Sequence, residues 1–531
     1  MEKHSVSKWD LMEIIFNVKI SGKIQFEDIN VLFSSPTGCK HKVRAFYYDN
    51  DIRKVRFTPN ETGLWQYYAY TLRDNHEYSI DRGIFKCIDS DKKGFVKINA
   101  EKPYKFEYSN GEPVFLSGDT CYSLLLLDRE KQRIPYLKRR SEQGFNFFRF
   151  MTFFGIGKED KHAMSYNTDG ELIINALYFK RMDELMEDLF RFGCGAEMII
   201  FNLYEDMTGD MLVQNGWNEQ KEVKWFKYLV DRYGAYTNLF YWTIANEFDL
   251  YPDGKYRLDI PEDIEWYRKI TRTVKMQDIY QHPVAVHPVN TFECPSGGPL
   301  DSPGYDFGNC ASVDIVMNQV HGFVTPRDGY YDGNGIGIES KVLADRKYNK
   351  PVIIGEFGYE FNNLIKRGMN VSTRMQLMQA WRIIMGGGYF AAGFRGSCGC
   401  SFITAFDIEN NGCPGATLIS VLNSFFRVHT RFNELEPHWE FVDKPNLCIA
   451  SPCEEYVVFV IRDGKYVKPG MPDNTAVVDL SDCNGVFAVE WLDIYTGEYI
   501  IAGNINGGKK VQFVAPLKKE AVLHLYNKSV F

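Results

Sequence analysis

Along the first hundred residues, short apolar stretches alternate with turn-forming residues: Trp9 to Val18, Val43 to Tyr48, Lys54 to Thr58, Leu64 to Leu72 and Gly83 to Ile88. This alternation predicts a small antiparallel β-sandwich over residues 1–100. From about residue 111 the rhythm changes, and short apolar runs alternate with helix-length amphipathic segments, the βα signature. Eight strand candidates follow: Pro113–Gly118, Phe145–Met151, Ala196–Asn202, Leu239–Ala245, Pro283–Val289, Ile315–Val320, Pro351–Gly355 and Tyr389–Phe394. Eight strands close a (β/α)8 barrel, predicted over residues 101–436.

The intervening helices have recognisable ends. Ala176–Phe192 stops at Gly193 and Glu219–Tyr233 at Gly234, each glycine being available for a left-handed cap. The segment from Pro261 to Ile279 opens with Pro, Glu262 and Asp263, a first turn that suits the helix dipole. Ser372 can cap a helix reaching Met385, and Gly386-Gly-Gly388 reads as a helix stop, since no Lys-Ser/Thr follows to make a phosphate cradle. Past Pro437 the chain returns to β-like stretches separated by Gly464, Gly497 and Gly507-Gly508, so a second β-sandwich is predicted over 437–531. The fold class expected is α/β, a barrel flanked by two β-sandwiches.

Composition narrows the function. Of the 531 residues 45% are hydrophobic and 24% charged, ordinary for a folded chain. The net charge of −8 and the absence of a basic run argue against a nucleic-acid partner. The Leu11–Phe16 run is broken by Glu13 and has no basic leader, and no stretch of about 18 uncharged apolar residues occurs, so a cytoplasmic protein with no membrane partner is expected. Twelve scattered cysteines then read as reduced thiols. The ten histidines show no HExxH or finger spacing, so neither metal nor cofactor is expected. Self-association is left open.

Active sites of βα barrels lie at the carboxyl ends of the strands. Two strands end on a glutamate: Asn238-Leu-Phe-Tyr-Trp-Thr-Ile-Ala-Asn246-Glu247, the fourth, and Pro351-Val-Ile-Ile-Gly-Glu356, the seventh. Glycoside cleavage needs a proton for the leaving oxygen and a carboxylate for the cation-like sugar carbon. Two facing glutamates supply both, and strands four and seven sit across the barrel mouth. The reading is a retaining glycosidase acting on a carbohydrate, with Glu247 as acid/base and Glu356 as nucleophile.

These residues carry a family resemblance. Asn246-Glu247 ending strand four with Glu356 ending strand seven resembles glycoside hydrolase clan A, the retaining barrel glycosidases, over roughly residues 111 to 432. The resemblance implies that Asn246 binds the sugar 2-hydroxyl and that Arg149 orients the nucleophile. A narrower likeness spans almost the whole chain through Phe57-Thr-Pro, Gly63-Leu-Trp65, Phe115-Leu-Ser-Gly118-Asp119-Thr120 and Trp491-Leu-Asp-Ile-Tyr-Thr-Gly497. It is similar to glycosidases with an N-terminal β-domain of unassigned function, an apiosidase-like barrel and a C-terminal β-sandwich.

Other strand-end residues are substrate-binding candidates. Asp119 on strand one and Asn202 on strand three, with Tyr204, Glu205 and Asp206 nearby, can hold sugar hydroxyls. His287 and His321 can hydrogen-bond the catalytic carboxylates and help set which is protonated. Each has a plainer reading: Asp119 as a turn former, Arg149 as an ordinary ion-pair member, the histidines as loop residues. Cys398 and Cys400 lie near the expected pocket without a signal for a catalytic thiol. Short substrates cut from one end are favoured. The rival functions are a carbohydrate-binding protein without turnover and a transglycosylase using the same site.

Overall fold

The computed structural model describes residues 5–17, 28–122, 124–152, 163–166, 170–201, 219–247, 261–288, 308–320, 337–358, 372–394, 414–462 and 474–530. Eight parallel strands form a closed barrel: β1 (Ser117–Thr120), β2 (Phe147–Met151), β3 (Gly195–Phe201), β4 (Leu239–Asn246), β5 (Val284–His287), β6 (Ile315–Val320), β7 (Val352–Phe357) and β8 (Tyr389–Gly393). All eight candidates are strands. β1 is the one displaced, because Pro113–Val114 pairs instead with Phe106–Tyr108 in a small hairpin. Its Phe106 packs edge-on against Tyr389 at 5.3 Å.

Among the described residues seven helices surround the barrel: α1 (Ile134–Glu142), α2 (Ala176–Arg191), α3 (Glu219–Tyr233), α4 (Pro261–Gln277), α5 (Ile338–Asp345), α6 (Thr373–Met385) and α7 (Pro414–Ser424). α2 shows why they form. Its Asn175 side chain accepts from the backbone of Leu177 and Tyr178, its stripe of Tyr178, Phe179, Met182, Leu185, Met186 and Leu189 is buried, and Gly193 beyond it is left-handed. Ser372 caps α6 by accepting from Met375 N at 3.2 Å. Gly234 does not adopt the left-handed cap expected of it; a Cβ there would lie 2.8 Å from the Val230 carbonyl, so close packing against the last turn of α3 is what requires glycine.

The N-terminal strands form one seven-stranded sheet in the order 5–7, 76–88, 63–73, 29–34, 40–49, 52–57, 12–17. The central strand Ile29–Ser34 was not among the sequence candidates. The sheet curls around its core: Phe33 stacks on Phe57 at 4.0 Å across an intervening strand, and Trp65 packs on Phe57 at 5.2 Å. Arg56 ties this sheet to the barrel. Its guanidinium meets both oxygens of Asp183 on α2 (3.1 and 2.9 Å) and the Arg232 carbonyl on α3 (2.9 Å), while Arg232 grips the same carboxylate.

The C-terminal part is a six-stranded antiparallel sheet with a two-stranded sheet, Thr475–Asp479 and Lys510–Val514, packed over one face. Its other face lies on the barrel, where Phe459 stacks on Trp381 of α6 at 5.7 Å. Burial on both faces explains why Glu455–Val460 is buried at every position. Contrary to the expectation of reduced thiols throughout, Cys453 and Cys483 are joined in a disulfide. No helix among the described residues is long and apolar enough to cross a membrane.

Candidate active site

The carboxyl ends of β2, β4, β5, β6 and β7 converge with Tyr122, which follows β1. Arg149 of β2 is fully buried and organises this cluster through all three guanidinium nitrogens. Nε donates to Glu197 Oε1 at 2.9 Å, Nη1 to Glu356 Oε1 at 3.0 Å and to the Tyr122 hydroxyl, and Nη2 to Asn246 Oδ1. Strand register sets these meetings up, since Arg149 stands opposite Glu197 and Glu197 opposite Tyr241. Glu197 is in turn held by the hydroxyls of Tyr241 and Thr243, each at 2.6 Å. Burial pushes its carboxyl above the usual range, against the pull of Arg149.

Glu356 is buried at the end of β7. Its Oε1 accepts from Arg149 and from the Tyr122 hydroxyl. Burial, and the nearby charges of Glu356 and Glu247, raise the Tyr122 hydroxyl well above its ordinary value despite Arg149, so it remains a protonated donor. Glu247 sits one residue past β4 with φ of 45°, left-handed backbone that a non-glycine residue adopts at a cost of about 1–3 kcal/mol. Strain at such a position is a common mark of a functional residue. The Gln319 amide of β6 joins the two acids, its Nε2 lying 2.6 Å from Glu247 Oε1 and 3.2 Å from Glu356 Oε2. Those two legs place one oxygen of each acid no more than about 6 Å apart, so the two carboxyl groups share a single amide donor.

The structure therefore brings Glu247, Glu356, Arg149 and Asn246 together. Asn246 Nδ2 is buried and has no hydrogen-bond partner among the described residues, a donor oriented by Arg149 at its other end. His287 Nε2 is 3.9 Å from Glu356 Oε1, beyond direct hydrogen-bonding distance. Asp119 is not brought to the cluster. Its neighbour Thr120 points into the barrel and donates to the Gly355 carbonyl at 2.8 Å, so Asp119 turns outward, where Tyr136 and Arg140 Nε (2.9 Å) of α1 hold its carboxylate. Asn202 and His321 lie outside the described residues, as do Tyr204, Glu205, Asp206, Cys398 and Cys400.

Three members were missed from sequence. Gln319 had a signal, being polar at the end of the apolar β6 as Glu356 is on β7. Glu197 had one too, a charge inside the otherwise apolar run Gly195–Phe201. Tyr122 had none, being one aromatic among 32 tyrosines. No group of three or more metal-ligating side chains occurs among the described residues.

Such a site offers a buried carboxylate fixed by a cation, a second, partly exposed carboxyl that shares the Gln319 amide with it, and the Asn246 amide donor without a partner among the described residues. Comparisons with known proteins place the chain in a family. The sequence profile of the apiosidase-like catalytic domain matches residues 100–400, and that of a domain of unknown function (DUF5060) matches residues 5–71. No curated protein matches the chain. Among solved structures, a candidate glycoside hydrolase from Bacteroides vulgatus is 18% identical, with a TM-score of 0.73 over 99% of this chain and 100% of its own. A glycoside hydrolase family 5 protein from the same organism is 17% identical, with a TM-score of 0.60 over 82% of this chain and 94% of its own. The chain belongs to the apiosidase-like catalytic-domain family and is a glycosidase built on a (β/α)8 barrel.

Proposed function

We propose that the protein is a retaining β-glycosidase in which Glu356 is the nucleophile and Glu247 the acid/base. The observation that carries this reading is the Gln319 bridge, which requires the two carboxyl groups to face each other at close range. The division of labour follows from their surroundings. Arg149 and Tyr122 both donate to Glu356 Oε1 and fix its direction, as suits a nucleophile, whereas Glu247 is the more exposed of the two, as suits a group that exchanges a proton with leaving group and water.

In the first step a Glu356 oxygen forms a bond to the anomeric carbon, the glycosidic C–O bond breaks, and its electron pair takes the proton from Glu247. In the second, Glu247 removes a proton from water, whose oxygen bonds to the anomeric carbon as the ester to Glu356 breaks. Asn246 Nδ2 is placed to donate to the sugar 2-hydroxyl during both steps. The family makes β-linked apiosides the first substrates to try, and release of single sugars from the end of short oligosaccharides is the expected pattern.

The test is a panel of aryl glycosides that includes an apioside, followed by proton NMR of the first-formed anomer. Glu356→Gln is expected to lose activity by about 10⁴-fold or more with folding intact. Glu247→Ala should keep more activity on a substrate whose leaving group needs no proton than on one with a poor leaving group. An inverted first product, or an active Glu356→Gln, would overturn the proposal.

A further inference from the structure

We propose that Gln319 is a positioning residue that confines the catalytic proton to one oxygen of Glu247 and stabilises the negative charge at both of its seats during the cycle. This rests on the assignment of Glu247 and Glu356 made above. Gln319 is fully buried on β6, directly opposite Glu356 in the strand register. Its Nε2 carries two hydrogens and no acceptor, and it lies within reach of one oxygen on each acid, 2.6 Å from Glu247 and 3.2 Å from Glu356. The reverse orientation would set the amide oxygen against the charged Glu356, a repulsive contact.

Two consequences follow. With Glu247 Oε1 occupied as an acceptor, the acid proton belongs on Oε2, so the proton donor has one orientation rather than two. In the resting state the charge is on Glu356 and the proton on Glu247; after attack Glu356 is a neutral ester and Glu247 carries the charge. The charge has moved across the span of one amide, and a donor already points at each end, so no dipole has to reorganise.

Several described groups hold Glu356. Arg149 and Tyr122 hold Glu356 Oε1, His287 stands 3.9 Å from that same oxygen, and Glu197 backs Arg149. Gln319 reaches both acids, so its loss should disturb both ionisations.

The experiment uses the full chain with Gln319→Met, which keeps length and removes the donors, and Gln319→Glu, which keeps shape. Both are assayed on an aryl glycoside that the wild type hydrolyses. For Gln319→Met, kcat should fall about 10²-fold with KM within about threefold, and both limbs of the pH–rate profile should move up by about one unit. Gln319→Glu adds a third carboxyl and should raise the limbs further. If no aryl glycoside is cleaved, carbon-13 NMR of glutamate carboxyls gives the same readout: the resonances lost in Glu247→Gln and Glu356→Gln should titrate at higher pH in Gln319→Met than in wild type. Limbs or midpoints unchanged within about 0.2 unit, or a loss confined to KM, would overturn the proposal. An active Glu356→Gln would instead remove the assignment beneath it. Should Gln319→Met fail to fold, Gln319→Glu carries the test with the same criteria.

Discussion

The contact between Arg149 and Glu197 makes a quantitative demand. Both side chains are 0% exposed, and Nε lies 2.9 Å from Oε1. At about 4 Å between charge centres and an effective dielectric of about 20, the attraction is about 4 kcal/mol. Arg149→Met leaves Glu197 and Glu356 buried without their cation and should cost about 3–5 kcal/mol. Glu197→Gln should cost less, about 1–3 kcal/mol, because Arg149 keeps Glu356 and Asn246. In the double variant the stranded carboxylate at 197 is gone, so the two losses should fall short of adding by about 1–3 kcal/mol. Urea midpoints of the four proteins, followed by near-ultraviolet circular dichroism, measure that coupling. Activity provides an independent reading: Arg149→Met is expected to lower kcat/KM by about 10²–10³-fold, since a charged donor to Glu356, the proposed nucleophile, is lost. Additive stabilities within about 0.5 kcal/mol would refute the view that Glu197 anchors the site through Arg149.

Two further outcomes are expected away from the site. His524 in the C-terminal sheet is faced by Glu490 at Nδ1 (2.7 Å) and Glu455 at Nε2 (2.8 Å); burial alone would lower its proton affinity, but these two carboxylates outweigh burial and raise it. A histidine raised in the folded state contributes stability that is complete below its unfolded value, about 6.5, and lost as pH rises through the folded value. The melting temperature of wild type should therefore fall more steeply than that of His524→Gln as pH rises above about 6.5; parallel curves would refute this. At the N-terminal junction, Asp183→Ala strands the buried guanidiniums of Arg56 and Arg232 and should cost about 3–5 kcal/mol, read as a lower urea midpoint for the barrel and N-terminal sheet; a midpoint at the wild-type value would refute the clamp.

Much of the molecule was legible because its elements have strong periods. Eight apolar runs separated by amphipathic helices predict a parallel barrel, and a barrel's chemistry sits at strand ends, which leads to Glu247, Glu356, Arg149 and Asn246. The short strand Ile29–Ser34 was missed because all six of its residues are buried or partly buried, and the four apolar ones, Ile29, Val31, Leu32 and Phe33, do not alternate regularly enough to mark a solvent face. The cysteine pairing failed for a different reason: Cys453 and Cys483 are 30 residues apart with no motif spacing, and only the fold brings them together.

The sequence by itself thus determined which residues stand at strand ends, because that follows from local periodicity and chain order. Only the tertiary structure decided which way they face and whom they meet. The alternation of side chains along β1 turned Asp119 to the helix layer and Thr120 into the barrel. Tyr122 and Glu356 touch across 234 residues of sequence, and Gln319 and Glu247 across 72. Contacts of that range depend on barrel closure and register, which place strand ends within hydrogen-bonding distance of one another although no local pattern encodes the pairing.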